Sequence, residues 1–165
     1  MTSEHLLHTI PPIYDGNSKI LILGSFPSVK SREVSFYYGH PQNRFWRVLA
    51  AVLGCAVPSS NEEKTVLLQS HNIALWDVIK SCDIVGSSDS SIKNVVPNDI
   101  GVILSSCGIR QIYSNGKTSE KLFNKYIKDT VGRDTVVLPS TSPANASYNL
   151  ERLTDSWSVI KNNIR

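Results

Sequence analysis

Cysteine is scarce in this chain: Cys55, Cys82 and Cys107 are the only three among 165 residues. They lie far apart, are odd in number, and include no pair with metal-ligand spacing. Neither a disulfide framework nor a zinc site is expected, and reduced, partly buried thiols of a cytosolic protein fit better. Long apolar runs are missing as well. None approaches the roughly 20 residues that span a bilayer. Met1 to Pro12 lack the cationic start and apolar core of a secretory signal, so no membrane partner is expected. Charge of one sign is not in large excess. The net charge of +3 permits a polyanionic partner without requiring one. Histidine is absent beyond His71, and no Asp lies between Gly24 and Asn43. There is no Gly-x-Ser-x-Gly elbow for a serine nucleophile, no internal repeat and no low-complexity tract.

The 41% hydrophobic and 19% charged content is that of a globular protein, and residues 1–165 are expected to form one domain. Residues 1–18, with Pro11-Pro12 and Asp15-Gly16, read as an irregular lead-in. Lys19 to Leu23 reads as a buried strand that breaks at Gly24 and Pro27 into a long loop. Asn43 is placed to cap a helix from Arg44 to Leu53, ended by Gly54. Ser59 or Ser60 caps a second helix to about Ser70, with Glu62 and Glu63 in its first turn. Ile73 to Val78 is a second strand. Residues 80–99 are polar and turn-rich and read as a surface loop. Asn98 or Asp99 starts a short helix to about Cys107. Gln111 to Ser114 is a third strand, followed by a helix from about Thr118 to Thr130. Thr135 to Leu138 is a fourth strand, followed after Asn145 by a final helix to about Asn162. Alternating strands and helices predict an α/β fold, a three-layer α/β/α sandwich around a short, mainly parallel four-stranded sheet. Ligands of such folds sit beyond the carboxyl ends of the strands. All four strands there run into polar or special residues: Gly24-Ser25, Asp77, Asn115-Gly116 and Pro139-Ser140.

Three stretches carry the chemistry: Gly24-Ser25-Phe26-Pro27-Ser28, Phe36-Tyr37-Tyr38-Gly39-His40-Pro41-Gln42-Asn43-Arg44-Phe45-Trp46, and Leu138-Pro139-Ser140-Thr141-Ser142-Pro143-Ala144-Asn145. With Leu75-Trp76-Asp77-Val78, Asp89-Ser90-Ser91-Ile92 and Asn115-Gly116, they resemble the uracil-DNA glycosylase superfamily from about Lys19 to Trp157. The closer resemblance is to its hypoxanthine-DNA glycosylase branch, also called DNA-deoxyinosine glycosylase. The chain departs from neighbouring branches. Where mismatch-directed uracil glycosylases carry a water-positioning Asn in the first loop, this chain has Phe26. The Asp of the first loop and the His of the last loop, used by many uracil glycosylases, are also missing. In the hypoxanthine branch the catalytic amide is the asparagine of His-Pro-Gln-Asn, which is Asn43 here.

The resemblance implies a monofunctional DNA glycosylase acting on deaminated bases, above all hypoxanthine, after base flipping. It implies no metal and no organic cofactor. The implied partner is DNA containing a damaged base, bound by a monomer that is cytoplasmic and nucleoid-associated when on DNA. Asn43 would orient water through its carbonyl oxygen while fixed dipoles stabilise the departing base. Gly24, Ser25, Phe26, Tyr38, Asp77 and Asn115 are the candidate base-binding residues. Ser28, His40, Ser140, Ser142, Pro143, Ala144 and Asn145 are the candidate DNA-binding residues.

Each has a second role open to it. Asn43 also suits a helix cap. Phe26 and Tyr38 could stack on a base or pack under the loop. His40 could fix the loop. Asp77 could accept a base N–H or hold a loop. Asn115 could read a base edge or simply form an Asn-Gly turn. Phe45 and Trp46 read as core. Lys30, Arg32, Arg44, Arg47, Lys80 and Lys93 are candidates for tracking phosphates. Three other functions are compatible with the sequence: a uracil- or mismatch-directed glycosylase, a hydrolase using Ser25 or Ser28, and a non-catalytic nucleotide-binding module.

Overall fold

The computed structural model describes residues 2–165. In chain order the strands are β1 (Glu4–Leu7), β2 (Ile20–Gly24), β3 (Ile73–Asp77), β4 (Ile79–Ile84), β5 (Lys93–Pro97), β6 (Gln111–Asn115) and β7 (Thr135–Leu138). The helices are α1 (Val29–Val34), α2 (Phe45–Leu53), α3 (Asn61–Ser70), α4 (Gly101–Ser106), α5 (Lys117–Tyr126), α6 (Lys128–Val131) and α7 (Leu150–Trp157).

The main sheet has the order β3-β2-β6-β7, and every pairing in it is parallel. Its central strand β2 is buried throughout, which is why it reads as an unbroken apolar run. Successive side chains of a strand point to opposite faces. Ile20 and Ile22 accordingly join a core with α2, α3 and α7, through Phe45, Leu49, Leu68, Leu153 and Trp157. Leu21 and Leu23 join a second core with Ile103 of α4 and Phe123 of α5. These two cores on either side of the sheet make the three-layer α/β/α sandwich. No described helix is long and apolar enough to cross a membrane.

Helix boundaries follow local chemistry. Ser60 and Glu63 form a reciprocal capping box at the start of α3. Gly54 ends α2 at φ 70°, a left-handed conformation that glycine adopts without strain. Ile127, buried and at φ −120°, splits the helix expected over 118–130 into α5 and α6. The last helix starts at Leu150, capped by Asn149, and not directly after Asn145. Residues 139–149 are therefore a long irregular loop.

The lead-in and the 80–99 segment differ from expectation more substantially. Both contribute to a second, antiparallel sheet of order β1-β4-β5. Its inner face buries Ile79, Cys82 and Ile84 against Leu6, Phe26, Ile92 and Val95. Irregular register between β4 and β5 spoils the alternation that would mark strands, and Asn94 lies at φ 54° within β5. Asn98 does not start α4. It is buried, and its Nδ2 donates to the carbonyls of Asp77 (2.9 Å) and Ile79 (3.1 Å), pinning the turn between β3 and β4. Cys55 is exposed, Cys82 buried and Cys107 half-buried, and none is in a disulfide.

Asn98→Ala would leave two backbone carbonyls beside Asp77 without their donor. We expect a loss of about 1–3 kcal/mol in urea unfolding. A change below about 0.5 kcal/mol, the level of a neutral surface substitution, would mean that this amide does not hold the turn.

Candidate active site

Beyond the carboxyl ends of β2, β3 and β6 lies a cavity of about 540 Å³. Gly24 and Asp77 are in register across β2 and β3, and Asn115 ends β6 beside them. These three residues form the floor. The first loop, Ser25 to Ser28, forms one wall. Tyr37, Tyr38, His40 and Asn43 form a second, and Ser140 to Ala144 a third. Residues Ser87 to Ser90, from the loop between β4 and β5, close the fourth side.

All the candidate base-binding residues line this cavity, together with Asn43, Ser28, His40, Ser140, Ser142, Pro143 and Ala144. Asn145 lies in an adjoining groove of about 590 Å³ with Lys117, Ser147 and Tyr148. Residues that sequence reasoning passed over are also present. Thr141 and Asp89 line the cavity, although both sit in stretches singled out from the sequence. His8 lies behind it, with no local sequence signal, because β1 is what carries it there.

Asn43 stands at the junction of the two signature loops. Its Oδ1 accepts the N–H of Phe45 at 2.9 Å, an N-cap-like contact, and the hydroxyl of Thr141 at 2.9 Å. Thr141 is fully buried. Its hydroxyl oxygen in turn accepts Asn115 Nδ2–H at 3.0 Å, while the Thr141 N–H donates to Asn115 Oδ1 at 3.1 Å. Both ends of the Asn115 amide are thus engaged by Thr141, so Asn115 braces the last loop while also lining the cavity. The Asn43 carbonyl oxygen, expected to hold water, already has two donors.

Arg44 is turned to backbone. Its guanidinium donates to the backbone carbonyls of Ser142 (2.8 Å), Asn145 (3.1 Å) and Thr141 (3.4 Å), and also to Tyr148. It clamps the last loop from inside. Arg32 similarly serves the first loop, donating to Pro27 (2.7 Å) and Gly86 (3.1 Å). Ser28 caps α1, and Ser31 Oγ ties the same turn to the Gly39 N–H. His40 Nδ1 accepts the Gln42 N–H, so it does fix its loop. In the last loop the hydroxyls of Ser140 and Ser142 accept the N–H groups of Ser142 and Ala144. These N–H groups are therefore not free helix-start donors. Pro143 and Ala144 are exposed at the loop tip. Lys80 and Lys93 remain exposed.

The aromatic residues divide between core and cavity. Phe45 and Trp46 are buried. Tyr38 stacks on Phe45 with ring centroids 4.1 Å apart. Phe26 meets His8 edge-on and packs against the small sheet, while still lining the cavity. Tyr38 Oη is buried and makes no well-formed hydrogen bond, because the amide nearest to it, that of Asn115, is turned to Thr141. Burial, with the nearby charge of Asp77, pushes the Tyr38 pKa far above the ordinary phenol value; the Asn115 amide opposes this only in part. Tyr38 therefore stays protonated and able to donate. Asp77 is held from behind by His8, whose Nε2 lies 2.8 Å from Asp77 Oδ2, with both side chains buried. Its other oxygen approaches Gly24. A Cβ at Gly24 would lie 2.4 Å from Asp77 Oδ1 and 2.9 Å from Tyr38 Oη, so any other residue there would displace these two side chains. Asp89 is exposed on its outer side, and the atoms crowding it on the cavity side raise its pKa against the effect of the Ser25 hydroxyl, which donates to it at 3.4 Å; the Asp77 charge adds to the rise. Among the described residues, no group of three or more His, Cys, Asp or Glu side chains could hold a metal ion.

The fold and site together define the class: a parallel α/β/α sandwich with a polar-floored, aromatic-walled cavity at its strand ends. Comparison with known proteins gives the class a family. The profile of the uracil DNA glycosylase superfamily matches residues 11–162. A protein of Methanosarcina barkeri named hypoxanthine DNA glycosylase is 36% identical over 137 residues, 82% of this chain and 85% of that one. One of the same name from Methanosarcina acetivorans is 35% identical over 152 residues, 91% and 94% of the two chains. The solution NMR structure of a Methanosarcina acetivorans chain described as a uracil DNA glycosylase superposes with a TM-score of 0.79. It is 34% identical and covers 93% of this chain and 95% of its own. The chain belongs to the uracil DNA glycosylase superfamily.

Thr141→Val keeps the shape but deletes the hydroxyl between Asn43 and Asn115. We expect a cost of about 1–3 kcal/mol in thermal or urea unfolding, because Asn115 Nδ2–H then lacks its acceptor. Unchanged stability would show that the two loops are held together by something else.

Proposed function

We propose that this chain is a monofunctional DNA glycosylase that hydrolyses the N-glycosidic bond of hypoxanthine in DNA. The observation that carries the reading is the cavity itself: an Asn43 amide and aromatic rings on its walls, and the Asp77 carboxylate on its floor with Tyr38 Oη buried beside the same Gly24. A glycosidic bond inside a stacked duplex is out of reach, so the nucleotide must be extruded into such a pocket. The volume suits a purine.

Tyr38 Oη and Asp77 Oδ1 both lie against Gly24. A neutral phenol donates and a carboxylate accepts. Hypoxanthine presents the matching pair, an O6 acceptor beside an N1–H donor. Adenine presents the reverse, and a site left with mismatched buried groups rejects strongly. Uracil shares the matching edge. The relatives named for hypoxanthine, and Phe26 in place of a polar first-loop residue, favour the purine. Ser28, His40, Ser140 and Ser142 around the cavity, with Asn145 in the adjoining groove, are the proposed DNA contacts, and the exposed Pro143-Ala144 tip would fill the gap left by the flipped base. The chain acts as a monomer on damaged DNA in this reading.

The test is single-turnover base release from duplexes containing inosine, uracil or adenine at one site, followed by alkali cleavage. We expect inosine fastest and adenine uncut. Tyr38→Phe should slow inosine release by about 10-fold or more, the effect of leaving one buried partner unpaired. Faster uracil release throughout would move the assignment to a uracil-directed enzyme, and no release from any duplex would leave a binding module.

A further inference from the structure

We infer that Asn43 acts through its Nδ2 hydrogens, as a donor to the departing base, and not through its carbonyl oxygen as a holder of water. The inference rests on the glycosylase reading and deepens it. The oxygen and nitrogen of a side-chain amide have nearly the same shape, so its orientation must come from its partners. Here the partners decide. The Phe45 backbone N–H can only donate, and it meets the Asn43 amide at 2.9 Å. The atom it meets must be the oxygen. The Thr141 hydroxyl reaches the same atom at 2.9 Å and takes Asn115 Nδ2–H on its own oxygen. Two donors fill the two lone pairs of Oδ1. Turning the amide over would set Nδ2–H against the Phe45 N–H, donor against donor. Nδ2 has no hydrogen-bond partner among the described residues, and Asn43 lines the cavity. What the residue offers a ligand is therefore a pair of N–H bonds.

Those bonds suit one step of the reaction. As the C1′–N9 bond breaks, both its electrons leave with the base, and the sugar is left as a cation. A fixed N–H beside the base strengthens as that negative charge develops, which is how a preorganised donor lowers a barrier. The same N–H aimed at water would draw electron density away from the nucleophile. Water then adds its oxygen to C1′, and the proton it loses ends on the released base. A sugar cation is electrophilic enough to take unactivated water. This agrees with a first loop that has no Asp and a last loop that has no His.

Asn43→Asp and Asn43→Ala separate the two roles. Asp at this position keeps an acceptor for Phe45 and Thr141 but exchanges the NH2 group for a charged oxygen. Its loss of activity is therefore not a loosened loop. Single-turnover hypoxanthine release should fall about 100-fold or more in both variants, with Asn43→Asp no faster than Asn43→Ala. A second substrate, 8-aza-2′-deoxyinosine, carries a more acidic base that needs less help to leave. The deficit of Asn43→Ala should be smaller on it than on inosine. Asn43→Asp outrunning Asn43→Ala, or equal deficits on the two substrates, would overturn the donor role and leave the glycosylase reading intact. A wild-type chain that releases neither base would overturn both.

Discussion

The hydrogen bond from Thr141 to Asn43 joins two loops 98 residues apart, and the site depends on it. The last loop has no regular structure to hold it, and the segment before Asn43 has only the short helix α1. Each is fixed by side chains acting on backbone: Arg44 on the carbonyls of the last loop, Ser28 and Ser31 on the turns of the first. Such bonds from a charged donor contribute about 1.5–3 kcal/mol each. The bridge stands on a packed base. Phe45 stacks on Tyr38 and meets Trp157 edge-on at 5.8 Å, while Trp157 Nε1 donates to Pro139 at the start of the last loop. A disturbance in the α2–α7 core therefore reaches both walls of the cavity.

The second sheet completes what the main sheet leaves open. Strands alone give a floor of Gly24, Asp77 and Asn115. The small sheet adds His8 behind Asp77 and, through the loop between β4 and β5, Asp89 at the cavity wall. His8 leaves Asp77 with one oxygen engaged and one facing Gly24. That directs the free oxygen toward the cavity end where Tyr38 Oη lacks a partner. Burial moves the pKa of that phenol still further above the neutral range, so it stays a donor.

The parts legible in the sequence were those with a local cause. Ile20 to Leu23 is an unbroken apolar run because β2 is covered on both faces. Ser60 with Glu63, and Gly54 after Leu53, mark helix ends by chemistry within one turn. The convergence of Gly24, Asp77, Asn115 and Ser140 followed from the rule that ligands lie beyond the carboxyl ends of parallel strands. What escaped was set by distant partners. β4 and β5 contain Lys80, Ser81, Asp83 and Asn94, so their apolar alternation is weak and only pairing makes them strands. His8 gains its meaning from Asp77, 69 residues away. Arg44 and Arg32 have the composition of phosphate readers, yet the carbonyls they face come from loops whose course no local pattern reveals. Thr141 was hidden among serines; being the fully buried one, it is the member that carries the bridge.

The central claim is that one cavity, built from these two loops, receives a flipped purine with the Asn43 amide turned toward the base. A structure of this chain with a duplex carrying 2′-fluoro-arabino-deoxyinosine tests it most directly, since the fluorine destabilises the sugar cation and stalls cleavage. The account predicts hypoxanthine in the cavity, its N1–H and O6 at Asp77 and Tyr38, and Asn43 Nδ2 against the base while Oδ1 keeps Phe45 and Thr141. A base bound elsewhere, or an Asn43 oxygen released from Thr141 to hold water, would contradict it.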